Sequence, residues 1–200
     1  ELAARHAVID LDSPELRADA APASTATPLD GVALRWSPVV GRDERPIGFR
    51  LDVSGRAPGA SLAALLDAVL AGFTDEASGM PHGLVLLAPH DRTPDESLGF
   101  WGAPRNVLLE LDARALDAPA PREHVQLAQK HGVRLALRVA GPAWPAAERL
   151  APFQYLVSPA AALPAAGKPP RDIALLAVGA ASRAAVQSAF AAGANGVIGW

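Results

Sequence analysis

Asn106-Val107-Leu108-Leu109-Glu110-Leu111-Asp112, then a helical pattern over Arg122–His131 stopped by Gly132, then Val133–Val139, form the stretch that decides the fold. Two apolar strands joined by a helix make a βαβ unit, and repeated βα units imply a parallel sheet. Upstream, Gly83–Ala88 is a continuous apolar run closed by Pro89, as expected of a strand buried on both faces. Before it, Ser61–Phe73 places leucines and Val69 at helical spacing, with Gly59 and Ser61 as its start. Further upstream, Val32–Val40 and Ile47–Val53 read as strands joined by the turn Gly41–Pro46. So short a connection implies an antiparallel hairpin. Downstream come a short helix over Trp144–Leu150 and strands at Phe153–Val157 and Ile173–Val178. A helix over Ser182–Ala192 stopped by Gly193 and a last strand at Gly196–Trp200 follow.

Eight strands from Val32 onward predict an α/β fold, a TIM-like (β/α) barrel whose first strand is antiparallel. Such barrels usually need about 250 residues, so this one must be shortened or distorted. The places for that are Pro89–Pro104, which lacks a convincing helical pattern, and the alanine- and proline-rich Ala161–Pro170. An open doubly wound sheet is the alternative, and the opening hairpin fits it less well. Ala20–Pro28 is small, polar and proline-bounded, so residues 1–31 read as an arm and linker and 32–200 as the barrel domain. Within the arm, Ala7–Leu11 is a short strand or part of the arm itself.

Composition narrows the function classes. The chain has 200 residues, is 50% hydrophobic, and carries 19 prolines and 17 glycines, which argues for many short elements. Cysteine is absent, so disulfides, thiolate nucleophiles and cysteine metal sites are excluded. No run approaches the length of a membrane span, and the first residues do not form a signal peptide. The expected location is cytoplasmic. The chain starts at Glu1 without an initiator Met, which implies a trimmed chain or part of a longer one. Residues 1–40 hold six acids against three arginines, so the net charge of −3 sits there and the rest is balanced. No basic run offers a face for a nucleic-acid backbone. Sixteen of the eighteen basic residues are arginine, and with so much alanine this points to a high-GC bacterial genome.

The order of elements resembles the EAL-type cyclic-di-GMP phosphodiesterase domains. Trp36-Ser37-Pro38-Val39-Val40 resembles their opening strand, and Ile47-Gly48-Phe49-Arg50-Leu51-Asp52 the strand with the Glu-Ala-Leu signature. Leu108–Asp112 resembles the Glu-Leu-Thr-Glu strand, and His131–Leu137 the lead into the Asp-Asp-Phe-Gly motif. Leu175–Gly179 and Gly193–Trp200 resemble the last two strands. The resemblance implies a modified eight-stranded barrel with an antiparallel first strand. It also implies two divalent metals held by carboxylates, with a metal-activated water attacking a phosphodiester. Here the signature Glu is Arg50, the paired Asp positions are Arg138 and Val139, and the Asn of the third strand falls on Leu87 or Ala88. The later Lys falls near Val157, the Glu of Ala-Glu-Gly is Val178 and the closing Gln is Ile198. Only Glu110 keeps its carboxylate, and a hard cation needs several converging oxygens.

Other polar residues have plain readings. Glu110 pairs with Arg50 or Arg138 inside the barrel mouth, because a buried carboxylate needs a partner. His82, His90 and Asp91 are metal-ligand candidates on a loop, more simply read as solvated. His124 and His131 lie two turns apart on one helix and cannot share an ion. Asp10, Asp12 and Glu15 read as a solvated arm, and Ser37 and Ser54 have no nearby triad partners. Asn195-Gly196 reads as a turn, and no glycine-rich phosphate loop is present. The residues therefore predict no catalytic site, no metal and no cofactor. Arg50, Glu110 and Arg138 are left as a vestigial site or ligand contact. The expected role is a non-catalytic signalling domain working through a protein partner or an adjacent regulatory domain, with no nucleic acid and no membrane. The loss of the family's grip residues argues against cyclic di-GMP. The alternatives are a non-hydrolysing sensor of cyclic di-GMP or another anion, and an unrelated barrel enzyme with an unrecognised site.

Overall fold

Eight strands close into a barrel in sequence order, each paired with the next and the eighth with the first. The computed structural model describes residues 29–55, 59–73, 83–170 and 172–199. The arm and linker up to Pro28, with Ala7–Leu11, Asp10, Asp12 and Glu15, lie outside the described residues, as do His82 and Trp200.

The hairpin is β1 (Val32–Gly41) and β2 (Pro46–Gly55), paired antiparallel with Trp36 opposite Leu51. The remaining strands are β3 (Leu84–Pro89), β4 (Val107–Asp112), β5 (Arg134–Arg138), β6 (Tyr155–Pro159), β7 (Ala174–Val178) and β8 (Gly196–Ile198). They run parallel from β2 to β8, and β8 meets β1 antiparallel over Val39–Gly41. The antiparallel first strand expected from the hairpin is therefore present.

Alternation along the strands sorts side chains into two layers. Val39, Leu86, Leu108, Ala136, Val157, Leu176 and Ile198 fill the barrel interior. Leu51, Leu87, Leu109, Leu135, Leu137, Leu156 and Leu175 point outward into the larger core. There they meet helices α1 (Leu62–Phe73), α2 (Pro119–Lys130) and α5 (Arg183–Ala191).

The shortening falls where breakers concentrate. Between β3 and β4 the chain makes only a 3-10 turn, Glu96–Phe100. Between β6 and β7 it makes a 3-10 turn and the four-residue α4 (Leu163–Ala166). Three expectations need correction. The helix over Trp144–Leu150 is only α3 (Ala147–Leu150), because Pro145 disfavours helical backbone before it. Helix α2 starts at Pro119 rather than Arg122, since proline is well suited to a first helical turn. The last strand stops at Ile198, and Gly199 follows with φ 71°.

The loop Pro89–Pro104 has a second task. Asp95 caps its own turn at Ser97 N and also accepts from Leu62 N of α1 at 2.9 Å. Ser97 Oγ accepts from Ala63 N at 3.0 Å. Two donors at the start of α1 are thereby satisfied by residues more than thirty positions away, beside Ser61, which accepts from Ala64 N. At the opposite end of the barrel, three side-chain amides tie neighbouring segments together. Gln154 Oε1 accepts from Leu135 N, Asn195 Oδ1 accepts from Leu175 N, and Asn106 donates to Gly83 O. Asn195 is thus a strand tie as well as a turn residue.

Candidate functional site at the barrel mouth

Ligands of parallel barrels sit at the carboxyl ends of the strands, so the charged residues there define the candidate site. Arg50 on β2 pairs in register with Leu86, and Glu110 on β4 with Ala136, both interior residues. Register therefore turns Arg50 and Glu110 into the barrel. The same parity turns Asp52, Asp112 and Arg138 inward one step nearer the mouth.

These side chains form one connected network. Arg50 Nε donates to Glu110 Oε2 at 2.7 Å and its Nη2 to Glu110 Oε1 at 2.8 Å, a two-pronged pair. The third nitrogen, Nη1, lies 2.6 Å from Asp52 Oδ1. The same oxygen lies 2.6 Å from His90 Nε2, on the residue that follows β3. Arg138 Nη2 donates to Asp112 Oδ2 at 2.8 Å, and its Nε stands 3.8 Å from Glu110 Oε1. The Arg50 and Glu110 side chains are only 7% and 3% exposed, so each charge depends on the other for compensation.

Electrostatics follows the contacts. Burial pulls the Arg50 pKa down, but the hydrogen bond and charge of Glu110, with help from Asp52, outweigh it and leave the pKa raised. Burial pushes Asp112 up, but the Arg138 hydrogen bond and the Arg114 amide outweigh it and leave it below its usual 3.8.

The structure thus brings Arg50, Glu110 and Arg138 together, with Glu110 facing both arginines. It also adds Asp52 and Asp112, which sequence reasoning did not single out, and His90, which it read as a solvated loop residue. The signal for Asp52 was available, since it lies two residues after Arg50 and so shares its face. His90 corrects the solvated-loop expectation: it is held by Asp52, because the end of β3 runs beside β2 up to Pro89. Asp91 stays on the cavity wall, whereas His124 bonds Pro94 O and His131 packs edge-on against Phe100.

The donor set does not fit the two-metal centre that the family resemblance implies. Both Glu110 oxygens are taken by Arg50. Among the described residues no group of three or more histidine and carboxylate side chains is placed to hold an ion. A cavity of about 550 Å³ nevertheless opens beside the pair. The turn after β3 (His90–Thr93) and the turn after β4 (Asp112–Ala115) wall it, with Glu110 and Arg138 also lining it.

No family model matches the sequence. No curated protein matches it either. Solved structures do. A Vibrio cholerae LapD fragment, S helix-GGDEF-EAL bound to c-di-GMP, aligns with TM-score 0.61 and 9% identity over 88% of this chain and 54% of that one. The PaMucR phosphodiesterase in complex with c-di-GMP aligns with TM-score 0.56 and 15% identity, over 84% and 94%. The Bacillus subtilis YkuI protein, with an EAL domain, substrate c-di-GMP and calcium, gives 0.56 and 11%, over 84% and 54%. The chain spans about half the length of LapD and YkuI. The fold is thereby that of EAL domains, a closed mixed barrel in shortened form.

One expectation is overturned here. The argument against cyclic di-GMP does not stand, because structures with this barrel are found in complex with that nucleotide. Its physical basis was also incomplete. The Arg50–Glu110 pair does not fill the mouth, and an open cavity remains on the β3–β4 side. Among the described residues no helix is long and apolar enough to cross a membrane.

Proposed function

We propose that this EAL-type barrel is a non-catalytic signalling domain of the bacterial cytoplasm that works by binding rather than by hydrolysis. The observation that carries the reading is the two-pronged Arg50–Glu110 pair. The carboxylate best placed to serve a metal is neutralised by a guanidinium. A second cation, Arg138, stands 3.8 Å away. Two arginines there oppose a divalent ion by charge, and both Glu110 oxygens already accept hydrogen bonds from Arg50. The protein-partner part of the reading is supported by an exposed apolar strip on β1, where Trp36 is 67% and Leu34 40% exposed.

A second reading, a receptor that binds cyclic di-GMP without cleaving it, is favoured by the open cavity and by the complexes of similar structures with that nucleotide. The test is to incubate purified protein with cyclic di-GMP and Mg²⁺ or Mn²⁺, and to follow linear product and binding heat side by side. No product above background is the expected result, with binding heat marking the receptor reading. Metal-dependent turnover that vanishes in Glu110→Gln would falsify the non-catalytic assignment.

A further inference from the structure

The barrel wall has a notch between β1 and β8. Strand β8 stops at Ile198, and it covers β1 only over Val39–Gly41, with one more bond from Gly199 N to Pro38 O. From Val32 to Ser37, β1 has a register partner on β2 alone among the described residues. Pro38 O faces the β8 side and Ala33 O faces Ser54 of β2. Main-chain direction alternates along a strand, so the N–H and C=O groups of Leu34 and Trp36 point into the notch. An unpaired edge of this kind is a template for another strand. Nothing along it blocks pairing, since proline comes only at position 38 and the irregularity in register only at Val39/Val40. Its outward face carries Leu34, 40% exposed, and Trp36, 67% exposed, opposite Val53 and Leu51 of the outer core. Its inward face carries Arg35, which is exposed and makes no ion pair among the described residues. The edge therefore suits an extended segment with apolar residues at alternate positions and acids between them. Outside the barrel, Ala7-Val8-Ile9-Asp10-Leu11-Asp12 has that pattern: Ala7, Ile9 and Leu11 alternate with Val8, Asp10 and Asp12.

We propose that residues 7–12 of the chain's own arm dock along the free edge of β1 as an added strand. Ile9 and Leu11 then lie beside Trp36 and Leu34, and Asp10 lies on the face of Arg35. Edge pairing supplies the main-chain hydrogen bonds, and the alternation supplies the fit of the two faces. The arm leads directly into β1 through the turn before Val32. Residues 13–28 can span up to about 50 Å, against about 20 Å for a six-residue edge, so either strand direction is within reach. Tethering also raises the effective concentration of the segment to about the millimolar range, which so short a strand needs. A second copy fits less well, because a whole barrel would have to approach a short gap whose end is already taken by Gly199. The inference stands apart from the question of nucleotide binding. It adds a condition to the partner reading: a protein that uses this strip must displace the arm.

The chain has no cysteine, so engineered pairs report proximity without background. In the full chain, Ala33→Cys is combined in turn with Val8→Cys, Ile9→Cys and Asp10→Cys. Position 33 lies on the inward face, as positions 8 and 10 would. Under mild oxidation at high dilution, the pair with Val8→Cys or Asp10→Cys should close within one chain about tenfold or more faster than the pair with Ile9→Cys. Hydrogen exchange on the cysteine-free chain gives a second readout. The amides of Leu34 and Trp36 should be protected in the parent and exchange about tenfold or more faster when Ile9→Asp and Leu11→Asp are combined. The amides of Leu86 and Leu109 should stay unchanged, which separates loss of the added strand from unfolding. Cross-linking with no preference among positions 8, 9 and 10 overturns the docked arm, as do Leu34 and Trp36 amides that exchange as fast in the parent as in the double variant. Cross-links between chains, with protection that rises with protein concentration, assign the edge to a second copy and overturn it as well.

Discussion

Glu110 shows how much one buried charge depends on its neighbours. Replacing it with alanine leaves Arg50 buried with Asp52 as its remaining acid, and breaking a buried pair from one side costs about 3–5 kcal/mol. Urea unfolding of Glu110→Ala should show a loss of that size. A double variant, Arg50→Met with Glu110→Leu, should lose less than the two single variants added together, because neither charge is stranded. A variant as stable as the parent would show that the pair is not buried in solution. Asp112 carries the pH dependence. Its pKa is lower in the folded chain than the usual 3.8, so the pair with Arg138 contributes stability above that value. The contribution is lost as pH falls through the lowered folded value. Asp112→Asn should therefore be less stable than the parent at pH 7, and the gap should close on acidification. Arg50 has the opposite sign: its pKa is raised by Glu110 and Asp52, so its contribution is present below the ordinary arginine value and thus over the whole working range.

At the scale of elements, the loop between β3 and β4 does more than connect. Asp95 reaches Leu62 N at the start of α1 as well as Ser97 N in its own turn. Asp95→Ala should cost about 1–2 kcal/mol, at the upper end for a helix cap because two donors lose their acceptor. Native-state hydrogen exchange should place the new exposure at Leu62 and Ser97 and leave the centre of β4 unchanged. Close backbone contact decides another element. A Cβ on Gly48 would lie 2.1 Å from Leu84 O, so β2 and β3 can approach at that end only with glycine there. Gly48→Ala should lower the melting temperature and loosen the start of β3, which the same exchange experiment reads.

For the whole molecule, the seam is the weak part of the closure. The three-residue β8 meets β1 over Val39–Gly41 and β7 over Leu176–Val178, three positions on each side, so it has no longer pairing to hold it, whereas β3 pairs with β2 from Gly48 to Val53 and β5 with β4 from Leu108 to Asp112. Local openings draw on the regions with least pairing, so amides of the seam should exchange before those of Leu86, Leu109 and Leu135. Seam amides as protected as β4 would show closure more cooperative than its register suggests. Periodicity and breakers made the barrel legible in the sequence. The apolar run Gly83–Ala88 closed by Pro89 reads as a strand buried on both faces, Asn106–Asp112 reads as the next strand, and the hairpin turn Gly41–Pro46 sets the antiparallel start. The family resemblance implied that Arg50, Glu110 and Arg138 meet in the barrel mouth; alternation by itself fixes only which residues of one strand share a face. What local pattern cannot contain is the stagger between strands and the path of a loop. The partner of Glu110 as a two-pronged Arg50, the hold of Asp52 on His90 and the cap Asp95 lends to α1 join residues 33 to 60 positions apart. Only closure of the barrel, which fixes register and loop position together, brought them within hydrogen-bond reach and left a cavity beside them.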